Sequence, residues 1–83
     1  MDGIVRYDLP NVVWKNKNSG DRGIEKITKG TKVHIIDKFY NYCINGCYYR
    51  VRLKDDGRVY YMFPIDVEAF AKGGISIPER RFL

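Results

Sequence analysis

The fold is decided by the stretch YYRVRLKDDGRVYYMF, residues 48–63. Two runs of β-branched and aromatic residues flank an Asp-Gly pair, a pattern typical of a β-hairpin. A three-residue loop at 55–57, with its glycine left-handed, would oppose Val51 to Tyr61 and place six apolar or aromatic side chains on one face. A two-residue turn would oppose Val51 to Met62 and bury fewer of them. The odd-numbered positions of this stretch are therefore predicted to face the core.

A second turn signal, Asn45-Gly46, predicts another hairpin immediately before the first. A three-residue loop at 44–46 would pair Val51 with Phe39, whereas a two-residue turn would pair Val51 with Tyr40. The three-residue loop buries more apolar surface and is the preferred interpretation.

The relative position of the two cysteines depends on the same choice of register. The three-residue loop sets Cys43 directly opposite Cys47, while the two-residue turn points them to opposite faces, where a disulfide is excluded. The start of the sequence carries no export signal, so a cytoplasmic location and reduced thiols are expected. With His34 these cysteines supply three of the four ligands that a closed zinc site needs, so neither metal nor cofactor is expected.

The rest of the chain alternates short apolar runs with turn signals and predicts an all-β fold. Residues 15–23 are polar and rich in turn formers, which indicates a mobile exposed loop. Val33 and Ile35 are expected to face the core. Strands are predicted at 4–7, 11–14, 31–38, 48–54 and 58–63, and residues 24–27 are compatible with a further short segment. One helical turn is predicted near 64–68, with a last short strand to 70. One domain is expected to span 1–71, with 72–83 as a tail or an extra edge strand.

Composition limits the classes of function. Eighty-three residues suit one domain, and no stretch approaches the roughly 20 apolar residues that cross a membrane. His34 is the only imidazole, it lies within a predicted strand, and no Gly-rich phosphate loop is present, so catalysis is not expected. Fifteen Lys and Arg against ten Asp and Glu leave a net charge of +5, which suits an acidic partner.

The order of these features resembles the bacterial SH3-like domain family over roughly residues 4–70. The resemblance rests on Pro10-Asn11-Val12, the polar loop 15–23, Lys29-Gly30-Thr31-Lys32-Val33, Tyr49-Arg50-Val51-Arg52-Leu53, Asp56-Gly57-Arg58, Tyr60-Tyr61-Met62 and Ile65-Asp66-Val67. Family members often carry a Trp after the Asp-Gly turn, where this chain has Tyr60-Tyr61. The resemblance implies a small barrel of five or six short antiparallel strands.

Two surfaces of the expected barrel are candidates for binding. In the predicted register, the outward face of the central hairpin carries Tyr40, Tyr42, Tyr48, Arg50, Arg52 and Tyr60. The second surface is the basic segment 14–38, which holds seven Lys and Arg against three acids and includes Trp14, Lys15 and Lys17.

These surfaces favour a non-catalytic binding module. Tyr and Arg are enriched at the energetic centres of protein interfaces, which indicates a protein or peptide partner with an acidic surface. The small size also suits a stand-alone inhibitor or adaptor from a phage or mobile element. A structural alternative is that neighbouring Tyr and Arg side chains only stabilise the sheet, by about 0.5–1 kcal/mol a pair.

Nucleic-acid binding is the alternative function. Lys and Arg would neutralise phosphates, and exposed tyrosines would stack on unpaired bases. Acidic residues that adjoin the candidate surface, including Asp37 and Asp55, would repel phosphate. Protein binding is therefore the preferred prediction.

Overall fold

The computed structural model describes residues 1–41 and 46–70, and it confirms an all-β chain. The elements are β1 (Asp2–Val5), β2 (Leu9–Asn16), β3 (Arg22–Ile27), β4 (Lys32–Asn41), β5 (Gly46–Arg52), β6 (Arg58–Met62), a 3-10 turn (Pro64–Asp66) and β7 (Val67–Ala69). The helical turn near 64–68 and the short strand after it are confirmed. The strand number is seven instead of five or six, because 22–27 also joins the sheet. Predictions for 42–45 and 71–83 lie outside the described residues.

All seven strands are antiparallel and form one sheet, in the order β3-β2-β6-β5-β4-β1-β7. Buried side chains from both ends of this order join one core, which requires the sheet to bend around them. The core residues are Val5, Val12, Ile27, Val33, Ile35, Val51, Tyr60, Met62, Val67 and Ala69. Among the described residues no ladder joins β3 to β7, so the sheet is bent but not closed into a barrel. None of the described segments is a helix long and apolar enough to span a bilayer.

The predicted register of the β5–β6 hairpin is wrong by one residue. Val51 pairs with Tyr60 instead of Tyr61, and Tyr49 pairs with Met62. Val51 is buried as predicted, but on β6 the even-numbered side chains face the core, and Phe63 is 52% exposed. A one-residue slip moves every side chain of a strand to the other face. The outward orientation predicted for Tyr60 is therefore also wrong.

The physical reason lies in a contact between two turns. The loop at 53–57 is held by the β2–β3 turn: Asn16 Nδ2 donates to the Asp56 carbonyl at 3.3 Å, and the Lys17 N–H donates to the Gly57 carbonyl at 2.9 Å. Gly57 has a φ of 86°, so its left-handed conformation is confirmed. A Cβ at this position would lie 2.6 Å from Asn18 Nδ2, so the close approach also requires glycine. These distant contacts select the longer loop.

The polar segment 15–23 is more regular than its composition indicates. Strand β2 continues to Asn16, and Lys15 pairs with Arg22 at the start of β3. The Asn16 side chain closes the turn, since its Oδ1 accepts hydrogen bonds from the N–H groups of Asn18 and Ser19. The predicted nine-residue loop is therefore a hairpin with a short turn.

A β-bulge changes the facing of β4. The pairing of Ile35 with Val51 shifts to Asp37 with Arg50, and Ile36 is left exposed between them. Val33 and Ile35, before the bulge, are buried as predicted. Beyond the bulge, the odd-numbered residues of β4 turn from the core to the outer face.

The predicted pairing of β4 with the start of β5 is also wrong. Phe39 lies opposite Tyr48 instead of Val51, and Cys47 lies opposite Tyr40 instead of Cys43. The Cys47 thiol is free and half-buried. Cys43 lies outside the described residues.

Candidate functional site

The outer face of the central strands carries an aromatic cluster built around one arginine. Cross-strand pairing places Asp37, Arg50 and Tyr61 side by side on β4, β5 and β6, while Phe39 and Tyr48 form the adjacent pair. Directly opposed residues point to the same side of a sheet, so all five side chains share this face. We call them the outer aromatic cluster.

Ring contacts fix the geometry of this cluster. The Phe39 and Tyr48 rings stack with centroids 5.8 Å apart, and Tyr48 meets Tyr61 edge to face at 5.7 Å. The Arg50 guanidinium lies 4.3 Å from the Phe39 ring centroid, a cation–π contact. Aromatic pairs of this kind add about 0.5–1.5 kcal/mol beyond area burial, so the half-exposed rings are held in place.

Arg50 is itself held by a carboxylate. Its Nε donates to Asp37 Oδ1 at 2.8 Å and its Nη2 donates to Asp37 Oδ2 at 2.6 Å. This two-bond geometry is the strongest that an arginine makes with a carboxylate. The hydrogen bonds hold the pKa of Asp37 below its ordinary value of 3.8 and raise the pKa of Arg50, while partial burial opposes both shifts. The pair is a fixed part of the surface.

Acidification is expected to weaken the fold through this pair. The pKa of Asp37 is lower in the folded state than its ordinary value of 3.8. The contribution of Asp37 to the free energy of unfolding is therefore fully present above that ordinary value, and it is lost as the pH falls through the lower folded-state pKa. Urea denaturation at neutral pH and below about pH 3 measures the loss. Asp37→Asn should be less stable at neutral pH and lose less stability on acidification. The effect is modest since both side chains are about one-third exposed. Equal acid losses in the two proteins would contradict the assignment.

Exposed apolar side chains extend the outer aromatic cluster toward β3. Val13 pairs with Ile24, and they are 48% and 65% exposed. The register that pairs Trp14 with Tyr60 sets Val13 beside Tyr61 on the outer face. Contiguous exposed apolar surface of this kind is typical of an interaction site.

The structure brings together only part of the predicted aromatic surface. Tyr48 and Arg50 lie in the outer aromatic cluster, and Arg52 is exposed on the same side of β5. Tyr40 is exposed but lies opposite Cys47, on the other side of the sheet from Tyr48. Tyr42 lies outside the described residues.

The predicted surface lacks Phe39 and Tyr61, and it includes Asp37 only as an acidic neighbour. Tyr61 was assigned to the core by the wrong register, and Phe39 was paired with Val51. Complementary charge on Asp37 and Arg50 is the one signal that could have indicated the true pairing.

Tyr60 and Trp14 belong to a structural network on the core side. The Tyr60 hydroxyl donates to Glu25 Oε1 at 3.0 Å, and Arg58 Nη1 donates to the same oxygen at 3.0 Å. Burial raises the pKa of Tyr60. The interaction with Arg58 opposes this shift, and the hydrogen bond to Glu25 adds to it. Arg58 lies 4.1 Å from the Trp14 ring centroid. Tyr60 and Trp14 therefore both take part in packing on the core side of the sheet.

The two lysines of the predicted basic surface lie apart from this network. Lys15 is exposed and paired with Arg22 and Val59, on the outer face. Lys17 is exposed in the β2–β3 turn. Neither contacts the outer aromatic cluster through the described hydrogen bonds or ion pairs.

No family model, no curated protein and no solved structure matches the chain. Within the described residues, no three His, Cys, Asp or Glu side chains are grouped to hold a metal ion. Function therefore has to be inferred from the chemistry of the surface.

Proposed function

We propose that the protein is a non-catalytic protein-binding module with the outer aromatic cluster at the centre of its contact surface. The observation that carries the proposal is a row of three aromatic rings on an exposed sheet face, in which Tyr48 contacts Phe39 and Tyr61 and an arginine packs on Phe39. Tyr, Phe and Arg are the side chains enriched at interface centres. Because Asp37 and the stacked rings already hold the cluster, binding loses little side-chain entropy.

The SH3-like class is the fold we propose for this module. The bent antiparallel sheet and the 3-10 turn at Pro64–Asp66 support it. One such fold serves many unrelated partners, so the partner has to be inferred from the surface. A net charge of +5 favours a partner with an acidic surface.

A protein partner suits the surface better than nucleic acid does. Arg50 and Arg58 both donate to carboxylates, so neither is an unneutralised cation available to phosphate. Arg58 also covers the Trp14 ring, which would have to be uncovered before a base could stack on it.

Removal of the Phe39 ring tests the proposal. Phe39→Ala should lower capture of the partner from nuclease-treated lysate by about tenfold or more, as expected for an interface centre. Tyr7→Ala is the matched control, because Tyr7 is 52% exposed in the connection between β1 and β2. Urea denaturation should show both variants folded.

Two results would overturn this assignment. One is equal capture of the partner by Phe39→Ala and by Tyr7→Ala. The other is capture that disappears from the native protein on nuclease treatment, which would favour nucleic-acid binding.

A further inference from the structure

A shallow groove of about 560 Å³ lies on the outer face where β5 ends beside β4 and β1. Cross-strand pairing sets Arg52 beside His34 and His34 beside Asp2. Arg52 follows Arg50 by two residues along β5, a spacing of about 6.6 Å. The groove is therefore continuous with the outer aromatic cluster.

The lining of the groove mixes apolar and cationic side chains. Its apolar members are Ile4, Leu53 and Phe70, and its cationic members are Lys32, Arg52 and Lys54. A ligand that fits such a lining carries negative charge close to an apolar group.

The cations of the groove differ from the arginines elsewhere on the sheet. Arg50 and Arg58 are bonded to carboxylates, whereas Lys32, Arg52 and Lys54 make no ion pair among the described residues. Of the two carboxylates in the lining, Asp2 lies 3.5 Å from His34 Nδ1, and Asp55 belongs to the β5–β6 loop. The groove thus carries three cationic side chains against two carboxylates, an excess of positive charge.

We propose that this groove binds an acidic peptide segment in which carboxylates flank an apolar side chain. The inference rests on the proposed function and names the partner chemistry at the same surface. The carboxylates meet Arg52 and Lys32, and the apolar side chain lies against Ile4, Leu53 and Phe70. Nucleic acid fits less well, because its sugars and phosphates would not fill the apolar lining formed by Ile4, Leu53 and Phe70.

The binding of a defined probe tests the inference. The probe is acetyl-Gly-Asp-Leu-Glu-Gly-amide, added to the full-length 15N-labelled protein at low salt, with amide chemical shifts as the readout. We expect shifts concentrated at 32–34 and 52–55. The neutral peptide acetyl-Gly-Asn-Leu-Gln-Gly-amide should leave these amides unchanged.

A matched pair of charge variants localises the site. Arg52→Gln should raise the Kd of the acidic peptide by about fivefold or more, since it removes a charge-assisted contact. Lys26→Gln, which removes an exposed cation from β3, should leave the Kd unchanged. Equal effects of the two variants would show only general charge attraction and would overturn the site.

Three further results would overturn the inference: no shifts with the acidic peptide, equal shifts with the neutral peptide, or tighter binding of an eight-residue oligothymidylate at the same amides. A negative result here leaves the proposed function standing if Phe39→Ala still lowers partner capture relative to Tyr7→Ala. The two proposals therefore fail separately.

Discussion

Tyr60→Ala is expected to cost about 3–5 kcal/mol of unfolding free energy, whereas Tyr61→Ala should cost far less. The Tyr60 side chain is 3% exposed and packs in the core, and its hydroxyl donates a hydrogen bond to Glu25. Tyr61 is half-buried on the outer face, so its loss removes a ring contact with Tyr48 but opens no core cavity. Urea denaturation measures both changes.

A loss of this size approaches the whole stability of a small domain, so Tyr60→Ala could abolish folding. Tyr60→Phe keeps the comparison measurable. It retains the buried ring and removes only the hydrogen bond to Glu25, for an expected cost of about 1–2 kcal/mol. A cost for Tyr61→Ala equal to or above that of Tyr60→Ala would show that the facing of β6 is reversed.

Gly3→Ala is expected to destabilise the protein by about 2 kcal/mol through overpacking. By backbone propensity alone, alanine in place of a strand glycine would stabilise by about 0.5–1 kcal/mol. Gly3 pairs with Val33 and Ala69, and a Cβ there would lie 2.8 Å from Val67 Cγ1 and 3.0 Å from the Glu68 carbonyl oxygen. Because β1 approaches β7 so closely, Gly3→Ala is expected to lower the free energy of unfolding.

A double-mutant cycle separates overpacking from other effects. Val67 is 2% exposed, so Val67→Ala alone should cost about 2 kcal/mol. It removes the Cγ1 atom that the new methyl group would meet, so the double variant should be about 1 kcal/mol more stable than additivity predicts. Strict additivity, or a stabilised Gly3→Ala protein, would contradict the packing argument.

Two of the five members of the outer aromatic cluster were predictable from the chain. Tyr48 and Arg50 alternate with Val51 on one strand, so a buried Val51 alone determines that they face outward. Their neighbours on β4 and β6 depend on register between strands. The sequence placed Tyr40 and Tyr60 beside them, and the folded chain brings Phe39 and Tyr61 instead. The missing information is the bulge after Ile35 and the length of the 53–57 loop.

Local residue patterns encode the strands, the helical turn and the turn glycine. Period-two patterns set the strands and the all-β class, Pro64 with its neighbours set the helical turn, and the glycine at 57 set a left-handed turn residue. Each depends on residues a few positions apart. These features were therefore predictable from the sequence.

Long-range contacts in the folded chain determine which face of each strand points to the core. The loop after β5 is held by Asn16, 40 residues away from Asp56, and the bulge in β4 reverses the facing of Asp37 and Phe39. Side chains alternate with a period of two, so one residue of slip exchanges the core for the surface. The binding face follows from these long-range contacts, and no local pattern encodes them.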